Sequence, residues 1–387
     1  MKILHLISSA GMYGAEAVIL NLSHTLNDSS HHTVIGVFAN STNLNLELYE
    51  RASSEGIETR LIPCSGQLDR SAIKNVRELA VSTGADIVHA HGFKADIYAW
   101  LALRRRAIPL VSTCHNWIDH DPKVNFYGKL DRFVLRRYAA VISVSNSVME
   151  TLLHAGVRLD RVHIIGNGID MRPFERANRL HGECNENECA PTVGAVGRLS
   201  PEKGIDLLLH AAQQVLKEIP TAKFIVVGDG PERERLEAMI EELGLRDSVS
   251  LVGRREDMPS VYASFDLLVS SSRHEGLPMV ILEGLASGLP CVATAVGDVP
   301  RIIQDRECGI LVPSEDIQSL ATEMIALLRD PAQRRRLGEA ARKRVEEMFS
   351  ARQMTAKYLE IYQRVLADRS SKTSHVLSNA TFERKPE

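Results

Sequence analysis

Short apolar runs of strand length alternate along this chain with segments of helix length, and the alternation occurs in two series. Strands that are apolar on both faces and separated by helices form parallel sheets covered on both sides, so each series predicts a doubly wound α/β domain. The first series predicts strands at residues 3–7, 33–38, 59–62, 86–88, 110–113, 141–144 and 162–165. The second predicts strands at residues 192–196, 224–227, 250–252, 267–270 and 291–294.

A change of composition separates the two series and sets the expected domain bounds. Residues 1–171 form the expected N-terminal domain, and the aperiodic, polar stretch 172–191 forms the expected linker. Residues 192–350 form the expected C-terminal domain, followed at 351–369 by a helix that should pack back on the N-terminal domain. Residues 370–387 are polar with few apolar side chains, which predicts a disordered tail.

Charge and cysteine content exclude several classes of protein. The 46 Lys and Arg against 49 Asp and Glu give a net charge of -3, which argues against a nucleic-acid-coating protein. The six cysteines form no C-x-x-C pair and are expected to be free thiols in a reducing compartment. No apolar run approaches the roughly 20 residues of a membrane-spanning helix. These features predict a cytoplasmic protein.

Ligands of open parallel sheets bind at the carboxyl ends of strands, so residues just after strands are the candidates for chemistry. At the end of the first strand, Gly14 closes a glycine-containing turn that leads into a helix. Free N–H groups at a helix start favour a phosphate or a sugar oxygen. The spacing is not the G-x-G-x-x-G of dinucleotide binding, which argues against an NAD enzyme. A tight turn without a ligand remains the alternative here.

Histidines cluster near two of the predicted strand ends. His89 and His91 lie two residues apart and should point to the same side of their strand. His91 precedes a glycine at the strand mouth and is the candidate ligand contact, whereas His89 is expected to be a packed, hydrogen-bonded core residue. His115 could complete a metal site, but no metal-binding spacing is present, so no metal is expected.

Two cations follow the first strand of the second series. Arg198 and Lys203 lie on either side of a glycine-containing turn into a helix. A guanidinium fork and an ammonium at a helix start form a clamp for a diphosphate and can stabilise charge on a departing phosphate. The alternative is a solvated turn with a surface ion pair.

The most informative segment runs from Glu275 to Glu283 and carries two carboxylates eight residues apart. A helix is expected to start at Gly276, with the N–H groups of Gly276 and Leu277 free for a phosphate. Glu283 falls in an apolar helix, where a carboxylate requires a partner. An exposed helical glutamate is the alternative.

Taken together, these residues resemble glycosyltransferase family 4, the retaining group 1 enzymes with the GT-B fold. The resemblance covers roughly residues 1–350. It is carried by the 14–16 turn, the 91–92 strand mouth, the 167–170 turn, the 197–204 clamp, the 228–231 turn and the 275–283 motif. It implies two Rossmann-like domains that face each other across a deep cleft.

The resemblance also implies a reaction and residue roles. The enzyme would move a sugar from a UDP- or GDP-hexose to a hydroxyl of a saccharide or lipid-linked acceptor, in polysaccharide or glycolipid biosynthesis, with no metal or cofactor besides the nucleotide-sugar co-substrate. The implied site residues are Arg198 and Lys203 for the diphosphate, Glu275 for sugar hydroxyls, Glu283 for the ribose, Gly276 and Leu277 for phosphate, His91 and Gly14 for the transferred sugar, and Asn167 beside the hinge. A nucleotide-sugar epimerase and a silent nucleotide-sugar-binding protein are the alternatives, and the intact pair of glutamates favours transfer.

Two stretches need separate comment. Where the family often has Gly-Gly-x-Pro-Glu, this chain has Arg301 at the acidic position, so the local partner there must differ. Residues 100–137 carry eight Lys or Arg against three Asp. Phe126, Leu130, Phe133 and Val134 recur at helical spacing among these cations, which favours either a helix on an anionic membrane surface or a core-packed helix with a charged outer face.

Overall fold

The computed structural model describes residues 1–9, 11–12, 14–40, 45–66, 68–115, 122–174 and 190–382, with the side chains of 122–127 and 370–382 excepted. The chain forms two compact units. Unit 1 comprises Met1–Gly168 together with Ala351–Glu387, and unit 2 comprises Ile169–Ser350. Within the described ranges, no helix combines the length and the apolar character that a membrane span requires.

Unit 1 is built on a seven-stranded parallel sheet in the order β3-β2-β1-β4-β5-β6-β7. All seven strands expected from the sequence are present. They are β1 (Lys2–Ile7), β2 (His32–Asn40), β3 (Glu58–Cys64), β4 (Ile87–His91), β5 (Leu110–Cys114), β6 (Ala140–Ser143) and β7 (Val162–Ile164). Most of their residues are buried, which explains why the sequence of these strands is continuously apolar.

In the part of the chain that the structure describes, six helices connect the strands of unit 1. They are α1 (Gly14–Asp28), α2 (Glu47–Ser54), α3 (Arg70–Ser82), α4 (Phe93–Leu103), α5 (Pro122–Leu135) and α6 (Asn146–His154). The side chain of Asp69 caps α3 by accepting from two backbone amides, and Ser145 caps α6 in the same way through one amide. Such caps satisfy amides that have no partner within the helix.

Helices α4 and α5 enclose two carboxyl groups. Asp96 and Asp131 are both fully buried. Burial, reinforced by the neighbouring carboxyl of Asp131, raises the pKa of Asp96 well above its usual range. Each carboxyl therefore disfavours ionisation of the other in this apolar core.

The apolar side of α5 faces the interior of unit 1. Val134 is fully buried in the core and Leu130 packs against that core, whereas Phe133 is 44% exposed. Of the two interpretations of this basic stretch, the core-packed helix therefore describes these side chains. Phe126 lies outside the side chains that the structure describes.

Unit 2 contains a six-stranded parallel sheet in the order β10-β9-β8-β11-β12-β13. The strands are β8 (Thr192–Val196), β9 (Lys223–Val227), β10 (Val249–Gly253), β11 (Leu267–Ser270), β12 (Cys291–Thr294) and β13 (Ile310–Val312). The helices are α7 (Ile205–Glu218), α8 (Arg233–Glu242), α9 (Met258–Ala263), α10 (Met279–Ala286), α11 (Val299–Ile302), α12 (Ile317–Arg329) and α13 (Pro331–Met348). Strand β13 was not predicted, although β7, which has the same length, was.

The last helix, α14 (Ala351–Phe382), belongs to unit 1. Tyr358 and Tyr362 are buried there in one apolar cluster with Ile3 of β1 and Val18 of α1. The helix continues to Phe382, beyond residue 369, where the sequence analysis placed its end. That stretch contains no Gly or Pro, and nothing in its sequence ends a helix.

The boundary between the units also differs from the expected one. The chain passes into unit 2 at Ile169 rather than after residue 171. The amide of Ile169 donates to the carbonyl of Phe349 at 2.8 Å, which ties the two ends of unit 2 together. Residues 175–189, most of the expected linker, lie outside the described part of the chain.

Candidate functional site

The centre of the candidate site in unit 2 is an ion pair between two segments far apart in sequence. Lys203 Nζ lies 2.7 Å from Glu275 Oε1, and the hydroxyl of Ser272 donates to the same oxygen at 2.7 Å. The lysine side chain is 23% exposed and the glutamate side chain 7%. The predicted diphosphate cation and the predicted sugar-binding carboxylate are therefore direct neighbours at the carboxyl ends of β8 and β11.

Glycines allow the backbone to hold Lys203 in this position. Gly204 adopts a φ of +61°, and a Cβ at this residue would lie 2.1 Å from the carbonyl oxygen of Ser271. The hydroxyl of Ser271 in turn donates to the carbonyl of Gly204 at 2.7 Å. Only glycine fits this close approach, which joins the turn after β8 to the end of β11.

Arg198 occupies the same turn. It is exposed, and within the described residues it has no ion-pair partner. The aliphatic part of Lys203 lies next to Gly197, the residue before Arg198. A Cβ added at Gly197 would be 3.6 Å from Lys203 Cδ. The two cations of the predicted clamp thus come from one turn, with one paired to Glu275 and the other open to solvent.

Arg273 anchors the loop that carries Glu275. Its guanidinium donates to both carboxylate oxygens of Asp206, at 2.8 and 2.9 Å, and to Glu315 at 2.6 Å. The hydrogen bond to Asp206 raises the pKa of Arg273, so the guanidinium is permanently charged. The sequence analysis missed this role, because nothing in the spacing of Asp206 and Arg273 marks them as partners.

Glu283 has the partner that its apolar surroundings demand. The hydroxyl of Tyr262 donates to Glu283 Oε2 at 2.8 Å. Burial raises the pKa of Glu283 to about 7, against the lowering effect of that hydrogen bond. The tyrosine was missed in the sequence because it lies 21 residues away, on α9. Glu283 therefore titrates near neutral pH.

The start of α10 differs from the expected one. The helix begins at Met279, not at Gly276. Pro278 is the reason, since a proline keeps the preceding residue, Leu277, out of the helical region. Among the described residues, no protein acceptor takes the N–H of Gly276 or Leu277. The two predicted amide donors are thus in a loop rather than in a helix.

The turn that contains Gly297 packs against the loop that carries Glu275. Gly297 has a φ of +52°, and a Cβ there would lie 1.9 Å from the carbonyl oxygen of Glu275. The amide of Asp298 donates to the carbonyl of Gly276 at 3.1 Å. Arg301, which replaces the acidic residue of the family pattern, pairs with Asp298 at 2.8 Å. The local partner of Arg301 is therefore an acid of its own turn.

In unit 1, His91 is the middle member of a chain of imidazoles. Its Nε2 lies 3.1 Å from His5 Nδ1, and its Nδ1 lies 3.3 Å from His115 Nε2. Burial lowers the pKa of His91 well below its usual range, and the neighbouring histidines act in the same direction. His91 is therefore neutral at pH 7, and each of its ring nitrogens is already engaged by another histidine. The sequence analysis did not consider His5.

His89 is a hydrogen-bonded core residue. Its Nδ1 is 2.8 Å from the hydroxyl of Tyr362, and its Nε2 is 2.8 Å from the hydroxyl of Thr113. Ring nitrogens of His5, His89 and His91 lie within 4.8 Å of one another, a spacing that a metal ion can bridge. To bind one, His89 would have to give up a hydrogen bond in a buried setting.

The remaining candidates of unit 1 lie at the ends of β1 and β7. Gly14 is the first residue of α1. Asn167 is 9% exposed, and its Oδ1 has no hydrogen-bond partner among the residues described. A buried acceptor left unpaired costs stability, so this oxygen is available to a ligand hydroxyl.

Comparison with known proteins identifies the family. A model of group 1 glycosyl transferases matches residues 178–344, and a model of glycosyltransferase family 4 matches residues 12–172. The alpha-D-kanosaminyltransferase of Streptomyces kanamyceticus is 31% identical over 288 residues, which cover 70% of this chain and 74% of that protein. The chain belongs to the group 1 glycosyltransferases of the family 4 type.

Further relatives agree with this glycosyltransferase assignment. The N-acetyl-alpha-D-glucosaminyl L-malate synthase of Bacillus anthracis is 29% identical over 310 residues, which cover 78% of this chain and 80% of that protein. The structure of HepE from Anabaena in complex with UDP has a TM-score of 0.77 at 23% identity, covering 96% of this chain and all of that one. The family resemblance and the GT-B fold expected from the sequence are confirmed.

Proposed function

We propose that this glycosyltransferase moves a hexose from a UDP- or GDP-sugar to a hydroxyl of a saccharide or lipid-linked acceptor, with retention of the anomeric configuration and without a metal ion. The observation that carries the proposal is the Lys203–Glu275 pair beside the unpaired Arg198. One turn thus supplies two cations for a diphosphate, next to a carboxylate that can accept from sugar hydroxyls. The structures of HepE in complex with UDP and with UDP-glucose support a nucleotide-sugar donor.

In the proposed reaction, unit 2 binds the donor. The diphosphate lies against Arg198 and Lys203, and its oxygens accept from the amides of Gly276 and Leu277. As the bond to the sugar breaks, negative charge grows on the diphosphate, and cations already in position stabilise it without reorganisation. Glu275 holds sugar hydroxyls.

Glu283 is proposed to accept hydrogen bonds from the ribose. With a pKa of about 7, its carboxyl is half protonated at neutral pH. Because hydroxyls of the ribose donate to the ionised form, donor binding should favour ionisation and strengthen as pH rises through 7. No nucleophilic side chain is assigned.

Unit 1 is proposed to bind the transferred sugar and the acceptor. The unpaired Oδ1 of Asn167 supplies an acceptor and the amides at Gly14 supply donors, whereas the neutral His91 would exchange one of its two histidine contacts for the sugar. The N-acetyl-alpha-D-glucosaminyl, kanosaminyl and galactosyl groups in the names of the relatives favour a pyranose donor.

The reaction is proposed to take place in the cytoplasm, at the inner face of the membrane, and to serve polysaccharide or glycolipid biosynthesis. One relative, from Escherichia coli, is named for a galactosyl transfer to a diphosphoundecaprenol-linked sugar. The exposed ring of Phe133, with the guanidinium of Arg137 3.6 Å from its centre, is the proposed membrane contact. Flotation that is no greater with anionic than with neutral vesicles would remove this part of the proposal.

A thermal-shift panel tests the donor class. UDP, GDP, ADP, NAD and their sugar conjugates are added to the protein, and a ligand at 100 times its Kd stabilises the folded state by about 2.7 kcal/mol. Stabilisation by one nucleoside diphosphate and its sugars is expected, whereas stabilisation by NAD alone would contradict the proposal. Turnover in the presence of EDTA then tests metal independence, and the anomeric coupling constant of the product tests retention. Donor binding without turnover would favour a catalytically silent nucleotide-sugar-binding protein.

A further inference from the structure

A second concave site lies in unit 1, apart from the candidate functional site. It is a pocket of about 1050 Å³. The loops that precede β5, β6 and β7 line it, and α14 forms one wall. These loops are at the amino ends of the strands, whereas His91 and Asn167 follow the carboxyl ends. A strand of five residues is about 16 Å long, so the two sites occupy opposite edges of one sheet.

The lining of this pocket is strongly cationic. Eight arginines and two aspartates contribute to it. One of the acids, Asp160, is already neutralised by Arg158, which donates to both of its oxygens at 3.0 and 2.8 Å. Within the described residues, Arg105, Arg106 and Arg364 have no ion-pair partner. A concave surface with this much uncompensated charge attracts anions, although the whole protein is close to neutral.

Several of the guanidinium groups are held in place before any ligand binds. Arg161 donates to the carbonyls of Arg136 and Tyr138, both at 3.2 Å. Arg137 donates to the carbonyl of Phe133 at 2.6 Å, and its guanidinium lies over the same phenylalanine ring. Side chains that are already ordered lose less entropy when they bind a ligand.

The positive charge also acts on a titratable neighbour. His163 of β7 lines the pocket. Burial lowers the pKa of His163, and the charge of Arg364 lowers it further. The charge of Arg364 on α14 therefore acts on a residue that lines the pocket, and it would attract an anion bound there.

We propose that this pocket is a phosphate-binding site, which takes a multiply charged phosphate group either as free pyrophosphate or as the headgroup of a membrane phospholipid. Guanidinium forks match phosphate oxygens in pairs, which explains a lining of arginine rather than lysine. The pocket has room for more than a bare phosphate, and Trp100, Ile108 and Val365 give it an apolar wall against which a glycerol or acyl portion can lie.

The test compares two pairs of arginine substitutions in unit 1. Arg106→Gln with Arg364→Gln removes two unpaired cations of the pocket. Arg51→Gln with Arg60→Gln removes the same number of charges elsewhere, from arginines that pair with Glu55 and Glu58. Both pairs are placed in Lys203→Ala protein, which weakens the proposed diphosphate site of unit 2. Arg198 of that site is present in both pairs and affects them equally.

Two ligand sources are measured, with thermal unfolding as the control for folding. Calorimetric titration uses inorganic pyrophosphate, and flotation uses vesicles of phosphatidylglycerol with phosphatidylcholine vesicles as reference. The pocket pair is expected to weaken one of the two interactions at least tenfold, and the control pair to leave it within twofold. A loss of pyrophosphate affinity identifies a soluble ligand, and a loss confined to vesicles identifies a lipid headgroup.

The proposal is overturned if neither interaction differs between the pocket pair and the control pair. The imidazole NMR signal of His163 provides a second measurement that needs no variant of the pocket. Addition of pyrophosphate or of short-chain phosphatidylglycerol should shift this signal, and no shift with either ligand also overturns the proposal. Neither result depends on transferase activity, so failure here leaves the proposed reaction untouched.

Discussion

Replacement of Glu283 by glutamine is expected to make the protein more stable at neutral pH and above. The carboxyl has a pKa of about 7 in the folded protein and 4.5 as its ordinary value. Below pH 4.5 both the folded and the unfolded chain hold the proton. Between pH 4.5 and 7 the unfolded chain releases it while the folded chain keeps it, so the free energy of unfolding falls as pH rises.

The magnitude follows from the same two values. One pKa unit corresponds to about 1.4 kcal/mol, so the fall amounts to about 3 kcal/mol and is complete above pH 7. Glutamine has nearly the shape of the protonated acid and does not titrate. Relative to the variant, the wild-type protein should therefore lose about 3 kcal/mol of stability between pH 4.5 and 8, with most of the change between pH 5 and 7.

Urea unfolding followed by circular dichroism at half-unit steps of pH measures this difference. Glu242→Gln is the matched control, because Glu242 is exposed at the end of α8 in the same unit. The reasoning is refuted if wild type and Glu283→Gln differ by a constant amount across the range. The same variant should weaken donor binding by roughly 1.5 to 3 kcal/mol through the lost charged acceptor. A large fall in kcat with unchanged donor affinity would contradict the assigned role.

Three further substitutions test the remaining features. Lys203→Ala should lower kcat by roughly 10² to 10³, because the departing diphosphate loses a cation already in position, and wild-type kcat would contradict this role. Gly297→Ala should lower both Tm and kcat, because the new methyl group would clash with the carbonyl of Glu275. Gly56→Ala is the control: Gly56 also has a positive φ but faces open space, so this variant should lower Tm alone. Asp96→Asn should stabilise the protein at pH 8 but not at pH 4. The free energy of unfolding should rise by about 1.4 kcal/mol for each unit by which burial raises the pKa of Asp96. Identical unfolding curves of wild type and variant at both pH values would contradict a raised pKa.

The strands could be predicted because a strand that is buried on both faces consists of a continuous run of apolar residues. In the described part of the chain, twelve of the thirteen strands were expected within a few residues of their observed ends, and β13, a short run between a glycine and a proline, was missed. One helix start was predicted wrongly. The start of α10 is set by Pro278, whose effect on Leu277 the sequence analysis did not consider.

The candidate site could be predicted in its residues but not in its pairings. Glu275 and Lys203 were both selected from their turns, yet their salt bridge depends on how β8 and β11 lie side by side. The need of Glu283 for a partner follows from its apolar neighbours, but the identity of Tyr262 does not. His5 was overlooked because a lone histidine in an apolar strand has no motif, and only strand register brings it beside His91.

The return of α14 to unit 1 has a consequence for the order in which the protein is made. Unit 2 is one continuous segment, whereas the cluster around Ile3 and Val18 stays open until Tyr358 and Tyr362 have been synthesised. At translation rates of about 5 to 20 residues per second, the ribosome needs roughly 10 to 40 s to pass from residue 168 to residue 351. During that time the N-terminal part of unit 1 exposes apolar surface. Unit 1 is therefore synthesised first but completes its core last.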